Sequence, residues 1–271
     1  MRVSRRTAIK TVVAGGIGVL TGTAVHGYSA ARHDLDITRA TLAVRDLPPA
    51  LRGLRIALIT DFHRSETVSH EQIAGAAAQA NALRPDLIVL GGDYVTLRDP
   101  RYITPAADAL ADLRAPAGVF AVLGNHDDDR DMPAALEKQG FTVLKDARTR
   151  ITVRGEPLEL AGVRFWTRKL SDVAAVVRGA RGPVILLAHD PRRLTEAAAL
   201  NIPLVLSGHT HGGQIVLPFI GAPAVIGRDF PALAGVARRQ DTTVFVSRGI
   251  GTVYVPVRVN CPPEVALLTL A

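Results

Sequence analysis

Residues 203–214 read PLVLSGHTHGGQ. A short apolar run stops abruptly in a cluster of small and ionisable residues. The same arrangement occurs four more times. Arg55–Thr60 runs into Asp61-Phe62-His63, and Asp86–Leu90 into Gly91-Gly92-Asp93. Gly118–Leu123 runs into Gly124-Asn125-His126-Asp127, and Pro183–Leu187 into Ala188-His189. Continuous apolar runs of this length indicate strands covered on both faces. Ionisable groups at their C-terminal ends match the place where open α/β sheets hold ligands. Five strands therefore carry their chemistry to one edge of the fold.

Working outward, Ala-rich stretches between these strands read as helices. In Ser69–Leu83, Ser69 stands as N-cap with Gln72 three residues on, a capping-box spacing. Thr104–Leu113 has Pro105 near a first helical position. Met132–Gln139 and Arg192–Leu200 are two more helical stretches, and Ile37–Val44 reads as a lead-in strand. Thr142–Phe165 and Thr243–Leu270 read as β-hairpins. The glycines at 91, 92, 124 and 208 read as turn formers that swing the next side chain into a cleft. No repeat, low-complexity tract or domain-splitting linker interrupts residues 32–271, which read as one domain.

Of eight histidines, five (63, 126, 189, 209 and 211) fall in the strand-end clusters, while His26, His33 and His70 have no motif around them. Carboxylate and amide oxygens with neutral imidazoles are the donor mixture that a hard or borderline divalent cation takes. Asp61, His63, Asp93, Asn125, His189, His209 and His211 supply it from five segments. A central carboxylate can bridge two such ions about 3.5–4 Å apart, which makes hydroxide available near neutral pH and neutralises a phosphate under in-line attack.

In order and spacing, Asp61-x-His63, Gly92-Asp93, Gly124-Asn125-His126-Asp127, His189 and Gly208-His209-Thr210-His211 resemble the calcineurin-like metallophosphoesterases, from about residue 54 to the C-terminus. Gly208–Gln214, Ser247–Gly251 and Cys261–Glu264 are similar to the bacterial membrane-associated branch. That branch includes UDP-2,3-diacylglucosamine pyrophosphatases and exported phosphodiesterases. The resemblance implies an α/β sandwich of two mixed β-sheets flanked by helices. It implies Asp61, His63 and His211 on one ion, Asn125, His189 and His209 on the other, and Asp93 between them. It implies His126 as proton donor to the leaving group, with Asp127 orienting it. The ions are Mn, Fe or Zn, since no thiolate enters the donor set. The implied reaction is hydrolysis of a phosphodiester or pyrophosphate by a hydroxide shared between the ions. Phosphomonoester hydrolysis and a non-catalytic metal-binding scaffold are the alternatives. Arg64-Ser65 departs from the family, which often has Gly two positions after the first histidine; Arg64 either meets the substrate phosphate or faces solvent.

The chain has 271 residues and a formal charge of +7 from 32 basic and 25 acidic residues. Arg2, Arg5, Arg6 and Lys10 lie in the first 31 positions, which hold no acid, so the remainder is close to neutral. Without a strong basic field or basic-aromatic stretches, nucleic acid is not the expected partner. Ser4–Lys10 (SRRTAIK) resembles the twin-arginine export signature, with Ala8 where Phe is usual. Thr11–Val25 follows, apolar but diluted by glycines and shorter than the ~20 residues of a membrane span. Ser29-Ala30-Ala31 supplies small residues for cleavage. Residues 1–31 are thus expected to act as a signal or anchor for the twin-arginine machinery. The enzyme is then periplasmic or otherwise extracytoplasmic, with membrane association and a lipid- or envelope-linked phosphoester as substrate. Apolar residues in 219–226 could cover an acyl chain, although a core loop is the plainer reading. The single cysteine, Cys261, excludes an internal disulfide and reads as a small buried hydrophobe.

Overall fold

The computed structural model describes residues 32–271 together with Gly22, Val25 and Gly27. The export signature at 4–10 and the cleavage segment at 29–31 lie outside the described residues. Among the described residues, twelve strands form two six-stranded mixed sheets. The first sheet has the order β1 (Asp36–Leu42), β12 (Glu264–Leu270), β2 (Arg55–Ile59), β3 (Leu87–Leu90), β4 (Val119–Ala121), β5 (Thr142–Val143). The second runs β10 (Gly235–Arg239), β11 (Thr242–Val246), β9 (Leu204–Ser207), β8 (Val184–Ala188), β7 (Glu156–Val163), β6 (Ala147–Val153). In the first, β2 through β5 are parallel; in the second, β7, β8, β9 and β11 are parallel.

Strand periodicity sorts every apolar run into two layers. Ile56 and Leu58 of β2, Leu87 and Val89 of β3, and Phe120 of β4 face the second sheet. They meet Ile185 and Leu187 of β8, Leu204 and Leu206 of β9, and Phe245 of β11 in one buried layer. The alternate residues Ala57, Ile59, Ile88 and Leu90 pack under α1 (His70–Ala82), α2 (Ile103–Ala109) and α3 (Asp131–Lys138). Leu186, Ala188 and Val205 pack under α4 (Leu170–Val177) and α5 (Leu194–Ala199). Both faces of both sheets are covered, which is why these strands read as unbroken apolar runs.

Several elements differ from their sequence reading. Ser69 does cap α1, accepting from the Gln72 amide at 3.2 Å. The Gln72 side chain, however, reaches the carbonyls of Arg32 and Ile250, so only half of a capping box forms. Pro105 is the third residue of α2, because a 3₁₀ turn at Pro100–Tyr102, capped by Asp99, leads into the helix. Helix α4 has no counterpart among the helical stretches read from the sequence. Its sequence LSDVAAVV is rich in β-branched residues, and packing of Val173 overrides that preference. Thr142–Val143 pairs in parallel with β4, leaving β6 and β7 as the hairpin of that region. The C-terminal stretch is not a hairpin. β11 pairs with β10 and β9 in the second sheet, while β12 crosses to the first and lies between β1 and β2.

Candidate dinuclear metal centre

The strand ends converge where the two sheets meet. Asp61 and His63 follow β2, Asp93 follows β3, Asn125 and His126 follow β4, His189 follows β8, and His209 and His211 follow β9. Their ligand atoms form two triads, Asp61/His63/His211 and Asp93/His189/His209, each with its atoms within 4.8 Å of one another. The triads touch. His63 Nε2 lies 3.0 Å from His211 Nε2 and 3.5 Å from Asp93 Oδ2. His189 Nε2 lies 3.0 Å from Asp93 Oδ2 and 3.9 Å from Asp61 Oδ1. Asp93 Oδ2 thus lies within 3.5 Å of a histidine from each triad, whereas Asp61 reaches across only at 3.9 Å. Asn125 lines the same cleft.

These atoms face each other without satisfying each other. Asn125 Oδ1 and His189 Nε2 are buried with no aligned hydrogen-bond partner. Orphaned buried polar atoms are costly and uncommon. His63 Nε2 and His211 Nε2, 3.0 Å apart on rings whose burial holds their pKa down, satisfy each other only if one neutral ring turns its proton into the centre. Cations between them would resolve both problems, so the residues present fit a pair of metal ions.

The backbone is bent to achieve this convergence. Asp61, His63, Asp93, His209 and His211 all have positive φ, between 49° and 73°. Asp and His tolerate the left-handed region better than most residues, and such conformations gather at functional sites. The glycines have a different task from the turn-forming one expected. Gly92 alone of the four has positive φ. At Gly124 a Cβ would stand 2.0 Å from Asp93 Oδ1, and at Gly208 one would stand 2.2 Å from Asp61 Oδ2. Those two glycines make room for the carboxylates.

Neighbouring groups fix three of the rings. His189 Nδ1 lies 2.8 Å from the Gly91 carbonyl, so that nitrogen carries a proton and Nε2 faces the cluster. His63 Nδ1 meets Thr96 Oγ1 at 3.2 Å. The Leu97 amide donates to His126 Nδ1 at 3.0 Å. With Nδ1 accepting, a neutral His126 carries its proton on Nε2 and still presents a donor.

The electrostatics follow burial and pairing. Burial pushes Asp61 up to about 6 and His63 and His209 down to about 3. Burial also lowers His126. Burial opposes charge on Asp93, yet the His189, His63 and His126 imidazoles outweigh it and hold that carboxyl well below its usual range. The same pair works in reverse on His189, where desolvation is outweighed by Asp93 and Asp61 and the pKa rises to about 10.

Asp127 does not orient the His126 ring. Its oxygens accept from the backbone amides of Asp93 and Tyr94, both at 2.7 Å, of Gly124 at 2.8 Å and of Val95 at 3.4 Å. It is fully buried and pushed up to about 7 by desolvation and by Asp93. Its position ties the β3 and β4 loops together, and the Leu97 amide takes the role expected of it. Arg64 neither enters the cleft nor extends into solvent. Its guanidinium bonds the Ser65 and Val68 carbonyls and lies over the Tyr102 ring. Cys261 is buried as expected, and its thiol donates to the His211 carbonyl at 3.1 Å.

Four contributions were missed in the sequence. Thr96 and the Leu97 amide act through contacts that only the folded loop creates. Arg258 is completely buried and caps the carbonyls of Arg248, Gly249, Gly251 and Cys261, bracing the loop behind Asp61. Gln214, the last residue of the motif that opened the sequence reading, joins two loops. Its side-chain nitrogen donates to the Val253 and Val255 carbonyls, and its oxygen accepts from the Val253 amide. The cleft that results holds about 290 Å³ and is walled by Ile215, Val225, Phe230, Val253 and Val255, with Arg228 at its side. Residues 219–226 are not a core loop: Phe219, Ile220 and Ile226 are exposed.

Residues 54–213 match the family model described as calcineurin-like phosphoesterase. The chain is 33% identical over 227 residues to the phosphodiesterase YaeI of Escherichia coli (strain K12), covering 80% of this chain and 82% of that one. It is 28% identical over 281 residues to the metallophosphoesterase YkuE of Bacillus subtilis (strain 168), covering 99% and 98%. A transmembrane protein with metallophosphoesterase domain from Danio rerio is 30% identical over 270 residues, and this chain spans 60% of it.

Proposed function

The chain belongs to the calcineurin-like phosphoesterases and is a metal-dependent phosphoesterase; from that premise we propose that it hydrolyses a phosphodiester or pyrophosphate bond of a lipid- or envelope-linked substrate outside the cytoplasm. The observation that carries the reading is one cleft. It has two touching ligand triads at its floor, a histidine donor beside them and apolar side chains on its wall. In this reading Asp61, His63 and His211 hold one ion, Asn125, His189 and His209 the other, and Asp93 contributes to both.

When bound, two such ions lower the pKa of water and neutralise the phosphate oxygens. The chain does the remainder. Gly91 and Thr96 keep the His189 and His63 rings turned so that Nε2 faces the centre. Asp127 fixes the spacing of the Asp93 and Asn125 loops. His126, with Nδ1 held by the Leu97 amide, donates from Nε2 to the departing oxygen. The apolar wall seats a leaving group or acyl chain and keeps water away from it. Phosphodiester hydrolysis agrees with the name of the Escherichia coli relative. The arginine pair at 5–6 and the apolar run after it support twin-arginine export with an N-terminal signal or anchor.

The test is metal-loaded full-length protein against a bis-aryl phosphodiester, an aryl monoester and a UDP-linked acyl sugar. Turnover of the diester or the sugar pyrophosphate, abolished by chelator and restored by Mn, Fe or Zn, is expected. Hydrolysis of the monoester alone would refute the reading.

A further inference from the structure

We propose that the loop 217–226 seats the cleft on a lipid surface. Leu217 and Gly221 pair through both of their backbone amide–carbonyl contacts, at 2.7 and 2.9 Å, and close a tight turn. Phe219 stands at its tip, fully exposed, with Ile220 beside it. Phe219 has a φ of 66°, a backbone conformation unfavourable for a bulky residue, so the turn displays the ring at a cost in local strain. A few residues on, Ile226 is also exposed. Across the cleft, Tyr254 is 78% exposed and Val255 46%. Apolar side chains this large and this close in one region mark an interaction site.

Two further observations choose lipid as the occupant. The loop is continuous with the cleft, since its Ala224, Val225 and Arg228 line the same wall that reaches His209 and His126. A lipid-linked phosphoester drawn from a bilayer would therefore meet apolar surface from the tip to the centre, with Arg228 placed for headgroup phosphate. Secondly, Gly27, which follows the apolar run of the N-terminal sequence, is held beside the strand of chain behind the cleft wall. The Gly27 carbonyl accepts from the Arg258 amide at 3.2 Å, and a Cβ on Gly27 would collide with Val257. Val259 in turn bridges to Ile215 at the base of the loop. Gly27, two positions past the end of the apolar run Thr11–Val25 in sequence, is therefore held on the side of the molecule that carries the loop. Exposed aromatic and aliphatic tips with a neighbouring arginine are the composition of interfacial anchors. The inference extends the envelope-substrate reading and rests on it only for what enters the cleft.

The test uses full-length protein and vesicles of phosphatidylcholine with phosphatidylglycerol. An environment-sensitive fluorophore is attached through Phe219→Cys, with Glu137→Cys on the exposed face of α3 as control; the native Cys261 is buried. Added vesicles are expected to blue-shift the label at 219 and leave the label at 137 unmoved. F219E/I220E is expected to lower the vesicle-bound fraction at least tenfold at the melting temperature of the parent. A label at 219 that ignores vesicles overturns the proposal. So does one that shifts with protein concentration alone, which would assign the patch to self-association. So does a double variant that partitions like the parent. Failure of the phosphoesterase reading would appear separately, as absent diester turnover with the vesicle response intact.

Discussion

The floor of the cleft is formed by the five strand ends, and its wall by residues 215–230 and 253–255; the two differ in how tightly their positions are held. On the floor, a Cβ added at Gly124 or Gly208 would strike a ligand carboxylate. Asp127 gathers four backbone amides, and Arg258 satisfies four carbonyls. On the wall, Gln214 ties the base of one loop to the other, and beyond it Phe219, Ile220, Ile226 and Tyr254 lie open to solvent. A metal centre needs ligand atoms fixed to within fractions of an ångström. A surface that receives an apolar group needs area and access more than precision. In the proposed reading, the difference divides chemistry, assigned to the floor, from selection, assigned to the wall.

The largest effect that would sharpen this division is at Asp93. Asp93→Ala removes the carboxylate that lies within 3.5 Å of both triads. Turnover should fall at least ~10³-fold, the worth of several kcal/mol of charge stabilisation, with metal content lost as well. Full metal content in that variant would break the assignment of Asp93 as the shared ligand. Next comes His126→Gln, where a loss of about 10²–10⁴-fold in kcat is expected with metal content intact. Parent-like kcat would remove His126 from the mechanism. Thr96→Val deletes the contact to His63 Nδ1 and should weaken metal affinity about 10–100-fold, read by competition with a chelating dye. The smallest effect is on the wall. Val255→Ser should raise KM for an acyl-bearing substrate about tenfold, within the ~1–3 kcal/mol that apolar contacts of this size contribute, and leave metal affinity unaltered. A change in metal affinity there would show that floor and wall are coupled.

The floor was largely legible in the sequence and the wall was not. Parallel strands covered on both faces must be apolar throughout, so β2, β3, β4, β8 and β9 stand out as runs, and the chemistry lies where each run stops. Asp61, His63, Asp93, Asn125, His126, His189, His209 and His211 all lie together in the structure. The sequence did not reveal the left-handed backbone at five of the ligands, because φ is set by the loops they terminate. Asp127 was misassigned for a related reason. A carboxylate adjacent to a histidine in sequence need not face it, and this one faces backbone amides from two loops. The apolar residues of 219–226 resemble a core segment by composition, since hydropathy alone does not distinguish a buried run from a displayed one. The C-terminal strands divide between the two sheets because each finds an open edge or gap there, a choice made by the whole fold.

The central claim is that one floor holds two ions through Asp93, with His126 outside the ligand set. Elemental analysis of full-length protein, beside His126→Gln and Asp93→Ala, tests it most directly. The account predicts two equivalents of divalent metal per chain in the parent and in His126→Gln, and fewer than two in Asp93→Ala. A fully active parent with a single equivalent, or a His126→Gln protein that loses its metal, would contradict it.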